Sequence, residues 1–318
     1  MKAKLSIIIV SFNTSGLLAD CLASVYAQTR GVPFEVIVVD NNSRDESCRM
    51  VRERFPGVRL IESRENLGFG VANNLGAKEA TAPFLMFLNC DTLLTEDTGA
   101  ALVEFLEREP GAGVVGPRVM LMDGTRQPKT FGNLPTLRAT LNQNLLLSSL
   151  WPGSRFFSGI FIEKPWDRIM EVGWVSGVCM VIRSEAYAAV GGFDPGIFIY
   201  AEDIDLCLRL TQAGWRIYRV EDQAIRHLCG GSVKTTRQML KNAVMQQRNF
   251  LKVIDRCAGL AGSLLSRLLL GAGLALRVLI RGASLLLPGS RQWIAFQSSW
   301  LCLLDLVGLL PKSFETTA

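Results

Sequence analysis

The amino-acid sequence predicts an α/β fold with a mostly parallel central sheet and helices on both of its faces. Short β-branched runs at residues 5–10 and 36–39 end in polar loops, and residues 16–26 between them have the apolar spacing of a helix. A strand, a helix and a strand in this order form a crossover between parallel strands. The 318 residues are 49% hydrophobic, so the chain can build a large core and disorder is excluded.

The same alternation continues further along the chain. A third strand is predicted at residues 58–62, a helix at about 70–80 and a fourth strand at 84–88. About the first 115 residues are therefore predicted to form a half-domain of the nucleotide-binding type.

Polar residues follow each of the four predicted strands. The four loops are SFNTS, DNNSRD, SRENLGFGVANN and NCDT. Taken singly, each loop has an ordinary explanation: Asp40 suits an Asx-turn, Gly68 and Gly70 supply positive φ, and Asn89 with Asp91 suit a helix cap. Ligands of such sheets bind beyond the carboxyl ends of the strands, so polar loops at four successive strand ends favour a ligand site at one rim.

The loops also exclude two ligand classes and suggest a third. No GxGxxG follows the first strand, which argues against a dinucleotide oxidoreductase, and the absence of GxxxxGK[ST] argues against a P-loop. The NCDT loop suits Mg²⁺ or Mn²⁺, because such hard cations prefer oxygen ligands and are commonly held by one or two protein groups together with substrate phosphates. Asp91 is the candidate ligand.

A cluster of acids lies in an apolar context further along the chain. The stretch FIYAEDIDLCLRL places Glu202, Asp203 and Asp205 within four residues. One acid at a helix start satisfies free N–H groups and the helix dipole, but three exceed that need. A merely charged helix start remains the structural alternative to a catalytic cluster.

These segments, in this order, resemble the family-2 glycosyltransferases, which have the GT-A fold. The segments are SIIIVSFNTSGLLADCLASV, VIVVDNNSRDES, ENLGFGVANNLGAKEA, FLNCDT, GGFDPGIFIYAEDIDLCLRLTQAGWRI and IRHLCGGS. Within the family the chain is most similar to the rhamnosyltransferase-like branch, which shares the DGTRQP…LPT pattern of residues 123–136. The resemblance extends over about residues 4–250, and it departs from the branch at Cys90, where proline is usual.

The resemblance implies roles for individual residues. Asp40 contacts the nucleotide base, Asp91 binds the cation, and His227, the only histidine of the chain, is a second metal ligand. Asp203 is the general base and Glu202 orients the acceptor. The other donor-binding residues are Ser11, Asn13, Asn42, Asn66, Gly68, Asn73 and Asn89. Candidates for the acceptor side are Trp174, Trp166, Phe193 and Asp205, for which core or salt-bridge positions are the alternative.

The resemblance also implies the reaction. A hexose, rhamnose or another, passes with inversion from a nucleoside diphosphate donor to a hydroxyl of a glycan or polyprenyl-diphosphate-linked acceptor in cell-surface polysaccharide synthesis, with Mg²⁺ or Mn²⁺ as cofactor. Asp203 takes the proton of the hydroxyl while the cation neutralises charge on the leaving diphosphate. Asn89, where many relatives have aspartate, suits a deoxyribose and hence a dTDP-sugar, with a UDP-sugar as the alternative.

The resemblance and the change of composition near residue 250 together predict two domains. Residues 1–250 form the GT-A domain, with a donor half at about 1–115 and an acceptor half at about 116–250. Long loops with one short helix are expected at 118–174, where acceptor specificity is expected to lie. Residues 251–318 form a helical, membrane-associating tail.

The predicted tail is apolar but interrupted by charge. Arg267, Arg277 and Arg281 fall within an arc of about 80° at about 100° per residue, so one helix face is cationic. Trp293 and Trp300 flank a second apolar stretch. No window reaches the ~18 uncharged residues of a spanning helix. We therefore predict peripheral attachment to the inner, cytoplasmic face of the membrane, with a buried helical bundle as the alternative.

The composition indicates the cellular compartment and the kinds of partner to expect. The eight cysteines lie within apolar runs and form no CxxC pair, which indicates reduced thiols in the cytoplasm. The N-terminal apolar run ends at Val10 without a small-residue cleavage site, so a first strand is expected rather than a signal peptide. The net charge of +5 is modest, and no nucleic-acid partner is expected.

Two other functional classes stay open on the sequence. A sugar nucleotidyltransferase shares the βαβ start but needs a basic Gly-rich loop near the N-terminus, and SFNTSG contains neither Lys nor Arg. A catalytically silent sugar-binding or scaffold subunit would have lost the acid pair or Asp91, and both are present.

Overall fold

A computed structural model describes residues 2–165, 167–228, 235–285 and 292–311 of the chain. Trp166, one of the aromatic residues predicted for the acceptor side, lies outside the described residues. The chain divides into two compact units. Within the described residues, the first unit contains 2–132 and 165–228, and the second contains 133–164 and everything from 235 onward. The predicted boundary near residue 250 stays a prediction.

The first part of the chain has the predicted alternation of strands and helices. Its elements are β1 (Leu5–Ser11), α1 (Ser15–Gln28), β2 (Phe34–Asp40), α2 (Ser47–Arg54), β3 (Arg59–Glu62), α3 (Gly68–Lys78), β4 (Phe84–Asn89), β5 (Thr92–Leu94), α4 (Thr98–Arg108), β6 (Ala112–Leu121) and β7 (Phe131–Gly132). The four predicted strands are confirmed as β1 to β4, and the two predicted helices as α1 and α3. Helix α2 was not predicted because its sequence, SCRMVRER, offers only Met50 and Val51 as buried apolar residues.

The second part of the chain contains more irregular structure. Its elements are α5 (Leu137–Asn144), α6 (Leu147–Leu150), β8 (Ile169–Val172), β9 (Trp174–Val175), β10 (Cys179–Arg183), α7 (Ser184–Ala189), α8 (Glu202–Gln212), β11 (Arg216–His227), α9 (Thr236–Ser284) and α10 (Trp293–Leu306). The three acids of the EDID stretch thus lie in the first turn of α8.

A mixed sheet forms the centre of the first unit. Its strand order is β3-β2-β1-β4-β10-β6-β11-β5, and β8 pairs with β11. Strands β1, β2, β3 and β4 run parallel, β10 runs antiparallel to both of its neighbours, and β11 runs parallel to β6. The carboxyl ends of β1, β2, β4 and β11 therefore share one edge of the sheet with the amino end of β10.

Strand β1 shows why the sheet is stable. Its Leu5, Ile7 and Ile9 side chains are fully buried against the core that includes Leu18 and Leu22 of α1. A strand covered on both faces needs continuous apolar residues, and the sequence LSIIIVS supplies them. Each such side chain contributes about 1.5–3 kcal/mol by leaving water, and this stability holds the polar strand ends in place.

Helices α5, α9 and α10 pack together in the second unit. Arg248 of α9 forms an ion pair with Asp305 of α10 at 2.6 Å. Within α9, Gly259 has φ +62° and ψ −179°, a conformation that only glycine adopts readily, and the helix kinks there. The long helix therefore consists of two helical segments, one on each side of Gly259.

The arginines predicted to form a free cationic face are engaged inside this unit. Arg277 donates to the carbonyl of Gln143 at the end of α5 (2.7 Å), and Arg281 donates to the carbonyl of Ala295 in α10 (2.8 Å). Arg267 pairs with Asp255 at 2.6 Å. The predicted cationic face is thus corrected: these guanidinium groups connect neighbouring parts of the helical unit, because helix carbonyls and a carboxylate lie within their reach.

Of the described helices, α9 alone is long and apolar enough to cross a membrane, by length and composition only.

Candidate active site

Four strand ends of the first unit bring the predicted polar residues to one edge of the sheet. Ser11 at the end of β1 is paired in register with Asp40 at the end of β2. On the other side of β1, Val10 is paired with Asn89 at the end of β4. His227, the last residue of β11, is paired with Thr92 of β5, directly after Asp91. The parallel register, which depends on buried apolar residues, therefore assembles groups that are far apart in sequence.

Asp40 has the geometry of a ligand-binding carboxylate. It is buried, and its Oδ2 accepts a hydrogen bond from the backbone N–H of Ser43 (2.8 Å). Its Oδ1 is also buried and has no hydrogen-bond partner in the structure. An unpartnered buried acceptor costs about 1–3 kcal/mol, so this oxygen suits a donor supplied by a ligand, such as the N–H of a nucleotide base.

Two asparagines that were predicted to bind the donor lie in the loops next to Asp40. Asn13 and Asn42 both have left-handed backbone conformations, with φ 54° and 69°. Asn13 accepts a hydrogen bond from the N–H of Arg44 (2.8 Å) and donates its own N–H to Ser43 (2.9 Å). These bonds fasten the loop after β1 to the loop after β2.

Asn41 organises the next loop, although the sequence analysis assigned it no role. Its side-chain amide donates to Asn66 Oδ1 (2.9 Å) and to the Gly68 carbonyl (3.0 Å), and its Oδ1 accepts from the N–H of Leu67 (2.8 Å). Gly68 has φ +75°, and a Cβ atom there would lie 2.3 Å from the carbonyl oxygen of Phe198. Gly68 is thus a close-approach position, and its neighbour Phe69 donates its N–H to the same carbonyl (2.8 Å).

Two residues predicted to bind the donor form hydrogen bonds within the protein instead. Asn73 is buried and donates to the carbonyl of Phe69 in its own helix (3.0 Å). Ser11 is buried, and its hydroxyl is hydrogen-bonded to Thr14 (3.0 Å). These contacts favour a supporting role in the loops rather than direct contact with a donor.

The predicted metal ligands meet at the edge between β4 and β11. His227 Nε2 lies 3.0 Å from Asp91 Oδ1 and 3.5 Å from Asn89 Nδ2. On the opposite side of the ring, His227 Nδ1 lies 2.8 Å from Gln127 Oε1. The imidazole is buried, with 6% of its residue exposed, so these neighbours fix its orientation.

This arrangement fits a divalent cation. Adjacent ligands of an octahedral ion at about 2.1 Å are about 3 Å apart, which is the separation of His227 Nε2 and Asp91 Oδ1. Among the described residues no group of three or more His, Cys, Asp or Glu side chains surrounds a common centre. Two protein ligands are sufficient where the phosphates of a substrate and water complete the coordination shell.

The acid cluster occupies a sharp turn at the start of α8. Tyr200 and Ala201, which precede it, both have φ 69°. Asp203 Oδ2 accepts from the N–H of Gly177 (3.0 Å), and its Oδ1 accepts from the N–H of Ile204 (2.8 Å). Burial raises the pKa of Asp203 above its usual range, although these two N–H groups act in the opposite direction. The carboxylate is thus fixed in direction and has an increased affinity for a proton.

Glu202 differs from Asp203 in its surroundings. It is buried, and its Oε2 has no hydrogen-bond partner in the structure. Burial, and next the charge of Asp203, raise the pKa of Glu202 to about 8. Glu202 therefore holds a proton more tightly than an ordinary glutamate does.

The three described residues among those predicted for the acceptor side lie in the core. Trp174 and Phe193 are buried, and Phe193 packs against the rings of Phe69 and Phe87. Asp205 is fully buried and accepts a hydrogen bond from Arg209 Nε (2.8 Å). The structure thus supports the core and salt-bridge alternatives for these three residues, since none of them presents a free surface to an acceptor.

Likeness to solved structures identifies the fold. A mannosyltransferase from Pyrobaculum calidifontis, solved in complex with GDP-Man and Mn²⁺, matches with a TM-score of 0.56 and 18% identity, over 96% of this chain and 87% of that chain. A Staphylococcus aureus TarS structure matches with a TM-score of 0.55 and 18% identity, over 98% of this chain and 82% of that chain. The fold is therefore that of the GT-A glycosyltransferases, as the sequence predicted.

Sequence comparison then gives the family. The model for glycosyl transferase family 2 matches residues 6–164. The N-acetylglucosaminyl-diphospho-decaprenol L-rhamnosyltransferase of Mycobacterium tuberculosis is 30% identical over 80% of this chain and 85% of its own length. Rhamnosyltransferase WbbL of Escherichia coli K12 is 28% identical over 67% of this chain and 79% of its own length. The chain belongs to glycosyl transferase family 2. It is an enzyme, a hexosyltransferase, and the silent-subunit and nucleotidyltransferase alternatives no longer apply.

Proposed function

We propose that this enzyme transfers rhamnose, or a related hexose, from a nucleoside diphosphate donor to a hydroxyl of a polyprenyl-diphosphate-linked or glycan acceptor, with inversion. One observation carries the proposal. The Asp40 carboxylate, the Asp91–His227 pair and the Asp203 carboxylate at the start of α8 lie at the same edge of the sheet. Two relatives are named as rhamnosyltransferases, and the name of one includes a decaprenyl diphosphate acceptor. We infer cell-surface polysaccharide synthesis as the setting of this reaction.

Asp203 is the base in this reaction. The hydroxyl of the acceptor loses its proton to the Asp203 carboxylate, and the oxygen forms a bond to the anomeric carbon as the bond to the diphosphate breaks. Attack from the face opposite the leaving group inverts the anomeric configuration. Burial and the charge of Asp203 raise the pKa of Glu202, which favours its neutral form beside Asp203, and it serves to orient the acceptor.

Asp91 and His227 would hold a Mg²⁺ or Mn²⁺ ion, because a carboxylate oxygen and an imidazole nitrogen are both ligands of such ions. When bound, the ion would neutralise charge on the leaving diphosphate. Asn89 lies 3.5 Å from His227 and would contact the donor rather than the ion. Mn²⁺ in the solved mannosyltransferase complex supports a divalent cofactor in this fold.

The surroundings of Asp40 support a donor whose base is uracil or thymine. Each of these bases presents one N–H donor at its pairing edge, and Asp40 Oδ1 is a buried acceptor without a partner. We favour a dTDP-sugar over a UDP-sugar, because Asn89 stands where many relatives have aspartate.

The test of this proposal is a panel of nucleotide sugars with a polyprenyl-diphosphate-linked acceptor. We expect dTDP-rhamnose to give the highest transfer rate, ahead of UDP-sugars and GDP-mannose, and the proton NMR spectrum of the product to show an inverted anomeric centre. Transfer with retention would rule out the direct displacement by Asp203. A preference for GDP-mannose would contradict the proposed dTDP-sugar donor.

We further propose a cytoplasmic enzyme bound to the inner membrane face through its helical unit. Exposed leucines support this: Leu260, Leu264 and Leu268 lie at helical spacing with 92%, 63% and 64% of their surface exposed. Trp293 and Trp300 of α10 are also exposed. An apolar helix face with aromatic residues suits the boundary of a bilayer, where an acceptor with a polyprenyl tail is found. The free buried thiols Cys21, Cys179 and Cys207 suit a reducing compartment.

The leucine face can be tested with the full-length chain. Changing Leu260, Leu264 and Leu268 together to Gln removes apolar area that would enter the bilayer, so binding to vesicles of mixed neutral and anionic lipid is expected to weaken roughly 10-fold or more. Co-sedimentation with the vesicles measures this. The control is Ile169→Gln with Met122→Gln, two exposed apolar residues of the first unit. Equal vesicle binding by both proteins would contradict the membrane role.

A further inference from the structure

Gln127, in the DGTRQP segment, makes a contact that the reaction described above does not use. Its Oε1 lies 2.8 Å from His227 Nδ1, on the side of the ring that faces away from Asp91. Gln127 is 100 residues from His227 in sequence, and the two side chains meet only because the chain folds back along β6 and β11.

This contact determines where the imidazole carries its proton. An amide oxygen accepts hydrogen bonds and cannot donate, so His227 Nδ1 must carry a hydrogen to bond Gln127 Oε1. The neutral ring then has its lone pair on Nε2. Asn89 Nδ2, a donor, lies 3.5 Å from Nε2 and favours the same tautomer. Asp91 Oδ1, 3.0 Å from Nε2, is an acceptor and draws a proton to Nε2 when no cation is bound. A cation held by Asp91 and Nε2 would replace that proton, and Gln127 would then accept from the proton on Nδ1.

The segment that carries Gln127 is firmly attached to the sheet. The N–H of Gln127 donates to the carbonyl of Val119 in β6 (3.0 Å). The adjacent Arg126 makes two 2.9 Å hydrogen bonds to Glu221 of β11. Further along, the carbonyl of Thr130 accepts from the N–H of Ser176 (2.8 Å). These attachments fix the direction from which the amide approaches the histidine.

We propose that Gln127 is a positioning residue that holds His227 in the Nδ1–H tautomer and thereby directs Nε2 toward the cation shared with Asp91. The inference rests on the proposed cation site. Outer partners of metal-binding histidines typically change metal affinity 10–100-fold when they are removed. Gln127 would act through His227, because it contacts Nδ1 while Asp91 contacts Nε2 on the other side of the ring.

The test uses three variants of the full-length protein. Gln127→Met keeps the length of the side chain but removes the acceptor oxygen, whereas Gln127→Glu keeps an acceptor oxygen at the same reach. Gln223→Met is the matched control, since Gln223 lies on the same strand as His227 but lines a different surface pocket with Glu96 and Asp97. Thermal melting confirms that each variant is folded before it is compared.

Two measurements are made without sugar transfer. The first is the ¹⁵N NMR spectrum with Mg²⁺ and dTDP, in which every imidazole signal belongs to His227 because the chain has a single histidine. The second is Mn²⁺ affinity in the presence of dTDP, from the electron paramagnetic resonance signal of free Mn²⁺. We expect the Nδ1–H tautomer in the wild type, in Gln127→Glu and in Gln223→Met. In Gln127→Met we expect loss of this preference and Mn²⁺ affinity weakened about 10–100-fold.

Three outcomes would overturn the inference in different ways. If Gln127→Met keeps the wild-type tautomer and affinity while His227→Ala loses Mn²⁺ binding, the cation site stands and Gln127 has no positioning role. If His227→Ala binds Mn²⁺ as tightly as the wild type, His227 is not a ligand, and the proposed cation site fails together with the inference. A changed tautomer with unchanged affinity in Gln127→Met would also refute the positioning role.

Discussion

Asp203→Asn is expected to lower the rate of sugar transfer by ~100-fold or more, the scale of general-base catalysis. Asparagine keeps the size of the side chain and most of its hydrogen-bonding capacity, but it cannot take the proton of the acceptor hydroxyl. Initial rates at saturating donor and acceptor measure the effect. Donor affinity, measured by calorimetry with dTDP, is expected to change little, because Asp203 is proposed to act on the acceptor hydroxyl and not to bind the nucleotide.

The pH dependence of the rate gives a second sign of the base. A general base must be deprotonated, so activity falls as the pH drops through its pKa. Burial raises the pKa of Asp203, which moves this loss to higher pH than for an ordinary aspartate. In Asp203→Asn the acidic limb of the profile is expected to disappear.

Two neighbouring acids are the controls for Asp203. Asp205 is buried and bonded to Arg209, so Asp205→Asn is expected to lower folding stability by about 1–3 kcal/mol with a much smaller effect on the rate. Glu202→Gln keeps the size of the side chain but cannot ionise, and its effect is expected to fall between the two. Near-normal transfer by Asp203→Asn would show that Asp203 is not the base and would make Glu202 the next candidate.

Asp91→Ala and His227→Ala are each expected to weaken binding of the cation and of the donor, and to reduce transfer by ~100-fold or more. Each change removes one of the two protein ligands proposed for the ion. Calorimetric titration with Mn²⁺ in the presence of dTDP measures cation binding, and chelation with EDTA is expected to abolish transfer in the wild type until Mn²⁺ or Mg²⁺ is restored.

The control for the metal ligands is Asp20→Ala, which removes an exposed carboxylate from α1 and is expected to leave cation affinity unchanged. Full turnover in EDTA would contradict metal dependence. Loss of activity without loss of Mn²⁺ binding in both ligand variants would instead place Asp91 and His227 in contact with the substrate.

The sequence predicted the fold and much of the edge that carries the site because both depend on local patterns. Continuous apolar runs mark β1, β2 and β4 as buried strands, and the polar residue that ends each run must then lie at the shared edge. Asp40 and Asn89 could be located in this way without coordinates. Their register with β1 follows from the same buried runs.

The partners of the site residues could not be predicted because they come from distant segments. The N–H of Gly177 that holds Asp203 is a backbone group with no sequence signature, and Gln127 lies 100 residues from His227. The DGTRQP pattern was the one available signal for Gln127. Aromatic residues such as Trp174 gave no indication of which side they face until the packing around them was known.

The tail shows a related limit of sequence patterns. Sequence spacing alone placed Arg277 and Arg281 on one helix face, and this placement agrees with their positions in α9. The pattern could not show that carbonyls of α5 and α10 would lie against this face and accept hydrogen bonds from both arginines. The exposed leucines nearby, not the arginines, therefore carry the membrane proposal.

The turn before α8 has a consequence for engineering this enzyme. Tyr200 and Ala201 both hold a left-handed backbone, with φ 69°, although neither is glycine, and each such residue costs of order 1–3 kcal/mol. Glycine at position 201 would relieve this strain and raise the melting temperature, but the turn would then sample more directions and Asp203 would be aimed less consistently. Selection for heat resistance alone would therefore tend to trade catalytic rate for stability at this turn.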